Sequence, residues 1–268
     1  MKNNYLVLIS VAVMVFSLIG TSMAGIDVVG AIIRADIAPG DHFNAKSTIS
    51  IASSDKPMDF NVTMAGFGQS TDGGSIELGP SQQTSFMPSF LTVTPNKFHL
   101  EPGMNQTIIV DGTVPPDAKA GGKYALINLK SQPKGVSNVG ISLAIDIPIE
   151  LTITGGEPKV AGEITSLALA DPATSQHQNG TAIFNNTGNY FYKIKSNSEL
   201  KDDKGTVVAS VDNPLGPLFL IPPNARKIDF KLAPEKPLAP GKYTLTATVS
   251  LEDGTVLATK DTSVEIKS

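Results

Sequence analysis

Hydrophobic and polar positions alternate along much of this chain. The clearest run is residues 141–153 (ISLAIDIPIELTI), where every odd position is Ile or Leu and the even ones are Ser, Ala, Asp, Pro, Glu and Thr. A period of two sends successive side chains to opposite faces, so the run predicts a strand with one wholly apolar face. Pro148 falls on its polar face and has no N–H for a ladder, which predicts an edge position or a local change of partner strand. The same period recurs at Met58, Phe60, Val62 and Met64, and at Phe43, Ala45, Ser47, Ile49 and Ile51. No comparable stretch has a 3.6-residue period. Turn sequences separate the runs: Ala38-Pro39-Gly40-Asp41, Glu101-Pro102-Gly103, Asp203-Lys204-Gly205 and Asp253-Gly254. Short strands at this spacing predict an all-β chain of antiparallel sandwiches. Gly66-Phe67-Gly68 and Thr71-Asp72-Gly73-Gly74 read as parts of one long polar loop.

An internal repeat sets the domain count. Leu100-Glu101-Pro102-Gly103 leads through a strand to Val114-Pro115-Pro116 and then to Gly122-Lys123-Tyr124; Leu220-Ile221-Pro222-Pro223-Asn224 leads likewise to Ala233-Pro234 and Gly241-Lys242-Tyr243. The period is that of a domain rather than of a solenoid. Two immunoglobulin-like sandwiches are expected, residues 25–155 and 156–268, joined near Thr154-Gly155-Gly156-Glu157-Pro158. In each, the repeated tyrosine is expected to pack its ring in the core with the hydroxyl near the rim.

The first 24 residues have another character. Lys2 precedes an uncharged run from Tyr5 to Ile19, and Gly20-Thr21-Ser22-Met23-Ala24 follows with small residues where a signal peptidase reads. Residues 1–24 are therefore expected to be a signal peptide cut between Ala24 and Gly25. The apolar run is short of the roughly 20 residues that span a bilayer as a helix. No second apolar run of spanning length follows, so the exported chain is expected to have no membrane span.

Composition narrows the chemistry. Of 268 residues, 21 are basic and 25 acidic, for a net charge of -4, and Arg34 and Arg226 are the two arginines. A basic nucleic-acid footprint is absent. There is no cysteine, which excludes disulfides, thiol nucleophiles and lipid attachment to an N-terminal cysteine. His42, His99 and His177 lie far apart in sequence, without metal-ligand spacing. Asp202-Asp203 and Glu252-Asp253 sit at hairpin tips, where acidic residues favour turns. No nucleophile or phosphate-binding motif occurs. The chain is expected to be no enzyme, with no cofactor and no metal.

Four Asn-x-Thr triplets mark candidate glycosylation sites: Asn61, Asn105, Asn179 and Asn185. Asn61 lies on the polar side of the Met58–Met64 alternation and is expected to face solvent. Asn185 belongs to a tight Asn-Asn-Thr-Gly-Asn turn, where its amide is expected to bond the backbone.

Residues 91–103 (LTVTPNKFHLEPG), continuing through Val114-Pro115-Pro116-Asp117-Ala118 to Gly122-Lys123-Tyr124, resemble the first domain of pilus-chaperone-like, immunoglobulin-type surface proteins of archaea and bacteria. The second half, with Phe184-Asn185-Asn186-Thr187-Gly188-Asn189 and Leu238-Ala239-Pro240-Gly241-Lys242-Tyr243, is similar to their companion domain. The resemblance implies an extracytoplasmic, non-enzymatic protein of two domains. Usher chaperones of this kind hold a subunit's terminal carboxylate with a basic pair in the interdomain cleft. In this sequence Arg34 is the residue placed to serve, with no identifiable partner. The first expectation is a secreted or cell-surface structural protein that binds other envelope proteins through strand edges or loop tips. An alternative is a periplasmic chaperone-like assembly factor that lends residues 141–153 to a partner's sheet. A second is a secreted carbohydrate-binding or hydrolase-accessory module.

Overall fold

The computed structural model describes residues 25–79, 82, 87–133, 143–170, 176–214 and 220–267. Residues 1–24, the expected signal segment including Ala24, lie outside them, as do the first two residues of the 141–153 run. The described chain is all strand and turn. One sheet runs in the order β1 (Ile26–Val29), β3 (His42–Ile51), β8 (Asn105–Thr113), β6 (Leu91–Thr94). The sheet packed on it runs β2 (Ile33–Ile37), β10 (Leu143–Ile153), β9 (Gly121–Pro133), β4 (Met58–Gln69), β5 (Ser75–Leu78), and β7 (Lys97–Leu100) also pairs with β4. The second sandwich has β11 (Gly162–Leu169), β12 (Gln178–Asn186) and β15 (Ala225–Leu232) in one sheet. Its other sheet is β14 (Val207–Pro214), β13 (Ile194–Lys201), β16 (Gly241–Leu251) and β17 (Val256–Ile266).

The alternations build the two cores. Met58, Phe60 and Val62 of β4, Phe43, Ile49 and Ile51 of β3, and Ile147, Ile149, Leu151 and Ile153 of β10 meet in the first. Ile164, Phe184, Leu200, Phe230, Leu245 and Val249 meet in the second. Each fully buried side chain of this size contributes roughly 1.5–3 kcal/mol, which is why the register of these strands is well specified.

Among the described residues pairing is antiparallel except at one place. After β1 has paired with β3, the chain turns at Gly30, whose φ of 80° suits glycine. It then crosses to the opposite sheet, where β2 runs parallel to β10 from Ile33↔Ile149 to Ile37↔Ile153. Pro148 stands one position before that ladder begins, still paired with Leu126 of β9. It therefore lies at the edge of the sheet, the first of the two placements its sequence predicts.

In the second sandwich the edge of β11 is covered from β17: Lys260 Nζ donates to Ile164 O at 3.2 Å and Thr165 O at 2.9 Å, beside the register break between Ile164 and Ser166. A charged side chain over a bulged edge is a device that keeps other strands away. Inside the same sandwich Gln178 is fully buried. Neither its amide oxygen nor its nitrogen has a protein partner among the described residues. Such a group carries an uncompensated desolvation cost of about 1–3 kcal/mol. Gln178→Met, close in shape and without polar atoms, should therefore stabilise the protein by about 2 kcal/mol in urea denaturation. A destabilised variant would show that the amide is satisfied in solution.

Candidate protein-interaction site

β10 pairs with β9 along its whole described length, in an unbroken register from Leu143↔Ser131 to Ile153↔Gly121. On its other side β2 covers only Ile149–Ile153, because β1 has gone to the opposite sheet. Leu143–Pro148 is thus a sheet edge with no second strand among the described residues. The apolar side chains Leu143 and Ile145 are half-buried there, whereas Ile147 and Ile149 are fully buried. Where the chain crosses between sheets, Val29 is 65% and Ile32 55% exposed. An open strand edge flanked by exposed apolar side chains is the arrangement that accepts an additional strand from another chain.

Where β10 is covered, its polar face turns inward. Glu150 is 5% exposed and stands opposite Arg34 in the parallel ladder. Its Oε2 accepts from Arg34 Nε at 2.8 Å and Nη2 at 2.5 Å. Arg34, expected to await a partner's carboxylate, is therefore engaged by a carboxylate of the chain itself. Burial of Glu150 is tolerated because the pair is charge-assisted, while the guanidinium remains partly hydrated. The guanidinium also lies 5.7 Å from the centre of the Phe191 ring, in reach for a cation–π contact.

That ring belongs to a junction between the sandwiches. Phe67, Tyr124, Leu126 and Ile221 form a third buried cluster with Phe191 against it, and Tyr124 meets Phe191 edge-on at 6.5 Å. Tyr124 thus fills the junction rather than a sandwich core, unlike Tyr243, whose hydroxyl reaches Ala239 O at 3.0 Å. Burial pushes the Tyr124 phenol up, and Glu150 adds to the effect; burial also raises Tyr192.

Two side chains exchange bonds across the junction: Gln69 N donates to Asn224 Oδ1 at 2.9 Å, and Ile221 N to Gln69 Oε1 at 2.9 Å. Gly122 N donates to Asn189 O at 2.7 Å, and Lys227 N to Thr71 O at 2.8 Å. Gly66-Phe67-Gly68, read from sequence as polar loop, is strand, because burying Phe67 at the junction extends β4. Thr71-Asp72-Gly73-Gly74 is the hairpin after it. Gly73 has φ +89°, and a Cβ there would run into the Arg226 guanidinium. Both arginines of the chain therefore lie at this junction.

The remaining candidates are placed apart. His99 bridges Asp59 Oδ1 (2.7 Å) and Glu101 Oε1 (3.0 Å) on the surface. His42 lies 3.4 Å from Asp111, and His177 is exposed. Asp202 Oδ1 accepts Lys204 N and Thr206 N, and Asp253 Oδ1 accepts Thr255 N, so both carboxylates tie turns. Among the described residues no cluster of three His, Asp or Glu is placed to hold a metal, and no helix is long and apolar enough to cross a membrane. Asn61, Asn105 and Asn179 are exposed, and Asn185 is half-buried. The turn amide that bonds backbone is Asn186, to Tyr190 O and Leu220 O, rather than Asn185.

Pairwise alternation could not reveal the junction, but a signal for it was present. In residues 124–129 (YALINL) both faces are mostly apolar, the mark of a strand covered on two sides.

No protein-family model matches the chain, and no curated protein matches it. Solved structures do: it is similar in fold to pilus chaperones. A chain from a chaperone–tip adhesin complex of CFA/I fimbriae biogenesis matches at 13% identity and TM-score 0.45, covering 91% of this chain and 99% of that one. The class 5 fimbriae chaperone CfaA matches at 13% identity and TM-score 0.42, covering 91% and 100%. The E. coli chaperone DraB matches at 16% identity and TM-score 0.39, covering 90% and 98%.

Proposed function

We propose that this chain is an extracytoplasmic, non-catalytic assembly factor that lends the free edge of β10 to a strand of another envelope protein. One observation carries the reading: among the described residues the long, apolar-faced β10 has its second neighbour over Ile149–Ile153 only. The chain would act as two sandwiches, residues 25–155 and 156–268, after removal of residues 1–24 between Ala24 and Gly25. Main-chain hydrogen bonds along Leu143–Pro148 would supply affinity, and contact with the apolar side chains of Leu143, Ile145, Val29 and Ile32 specificity. No covalent chemistry is required of the chain, since strand addition only exchanges water for ladder partners.

Amide hydrogen exchange tests this directly. With an envelope partner bound, the amides of Ala144 and Asp146 should become protected, with little change in β16 of the second sandwich. A competing strand peptide should release the partner. Partner binding that leaves the β10 amides exchanging freely would overturn strand lending. A partner held permanently through other surfaces would favour a structural subunit instead.

A further inference from the structure

The four Asn-x-Thr triplets are alike in sequence, but the fold makes them unequal. In a strand, residues i and i+2 project from the same face, about 6.6 Å apart at 3.3 Å per residue, so an acceptor amide and its threonine emerge side by side. At Asn61 and Thr63, on β4, both side chains are exposed. No hydrogen bond engages either of them among the described residues.

Each of the other pairs is compromised. Thr107 Oγ1 is 3.1 Å from Thr48 Oγ1. Thr181 Oγ1 donates to Asp229 Oδ1 at 2.8 Å. Asn185 is half-buried, held between Glu163 of β11 and Ala225 of β15. Among the described residues β7 pairs with β4 only as far as Asn61, with Val62 N donating to Asn96 O just beyond, and β5 pairs only from Gly66 onward, so Thr63–Ala65 have no partner strand on that side. A substituent on Asn61 meets solvent and the side chains of its cross-strand neighbours Lys97 and Lys130, the latter 3.7 Å from Glu77, and displaces no core atom.

We propose that Asn61 carries an N-linked glycan. The transfer uses a phosphate-activated glycosyl donor outside the cytoplasm. Asn61 Nδ2 forms a bond to the anomeric carbon, the bond from that carbon to the donor's phosphate oxygen breaks, and the phosphate leaves with the electron pair. One amide proton passes to a base of the transferase. The proposal rests on the extracytoplasmic reading and is independent of strand lending. Asn61, Lys130 and Ala144 share one row across β4, β9 and β10. The sugar would thus stand two strands, about 10 Å, from the open edge, and cover the outer face beside it without blocking it.

Mass spectrometry of protein purified from its native host tests this. The peptide containing Asn61 should carry a glycan mass. That mass should vanish in Asn61→Gln and Thr63→Ala and persist in Thr63→Ser, with the thermal midpoint of each deglycosylated variant compared against enzymatically deglycosylated protein to confirm folding. An unmodified Asn61 in envelope-localised protein, from a host that glycosylates its other surface proteins, would overturn the proposal. So would a glycan on Asn61 that survives Thr63→Ala. Recovery of the protein only from the cytoplasm would overturn the export reading and this proposal with it.

Discussion

Ala144→Pro should weaken partner binding by about 100-fold, while Ala144→Val should leave it nearly unchanged. The reasoning starts from Pro148, which the sheet admits opposite Leu126 without a break in register. A proline is tolerated inside a sheet where its missing N–H faces away from the partner strand. Backbone N–H groups alternate sides with the same period of two as the side chains, so those of Asp146 and Ala144 also point away from β9, toward the open edge. A proline at 144 removes one donor from that edge, and its ring holds off the neighbouring carbonyl. Two lost hydrogen bonds at about 1.5 kcal/mol each amount to a factor of roughly 100 in affinity. Titration by calorimetry against the captured partner would measure it. Equal affinities for the proline and valine variants would exclude this edge as the binding surface.

Removing Arg34 should cost much more stability than removing the charge of its partner. Glu150 has a side chain 7% exposed, while that of Arg34 is 42% exposed. Arg34→Ala therefore strands a carboxylate away from water, and about 3 kcal/mol is expected, the low end for breaking a buried pair from one side. Glu150→Gln leaves a guanidinium that water still reaches and an amide that still accepts from it, so about 1 kcal/mol is expected. Urea unfolding with unchanged slope would give both values. Equal losses would mean that packing on Phe191, and not charge, holds the contact.

Glu150 also shows where sequence reading stops. The alternation in β10 correctly separates Ile147, Ile149, Leu151 and Ile153 from the other face, because in-or-out within one sandwich is a local property of a strand. It places Glu150 with the polar residues and so in water. The structure buries it, because Arg34 arrives from a strand 116 residues earlier and the second sandwich comes to rest on that face. Neither event leaves a trace in local periodicity. Phe67 was hidden for the same reason: between two glycines it resembles loop, and only Tyr124 and Ile221, distant in sequence, explain its burial. The turns were plainer, since Asp202-Asp203 and Asp253-Gly254 bond within a few residues of themselves.

The place where β2 begins has a geometric consequence for any strand that joins β10. Because Ile33 takes its ladder position opposite Ile149, an incoming segment that runs along Leu143–Pro148 arrives end-on against the start of β2 and can advance no farther. β2 is in effect an end-stop. A strand sliding along an unobstructed edge can settle one residue out of step, which turns every side chain to the wrong face. Here the last position is defined by a physical obstacle built from the chain's own backbone. Partners of different sequence would thus be held at the same offset, and their apolar residues delivered to the same side chains of this edge.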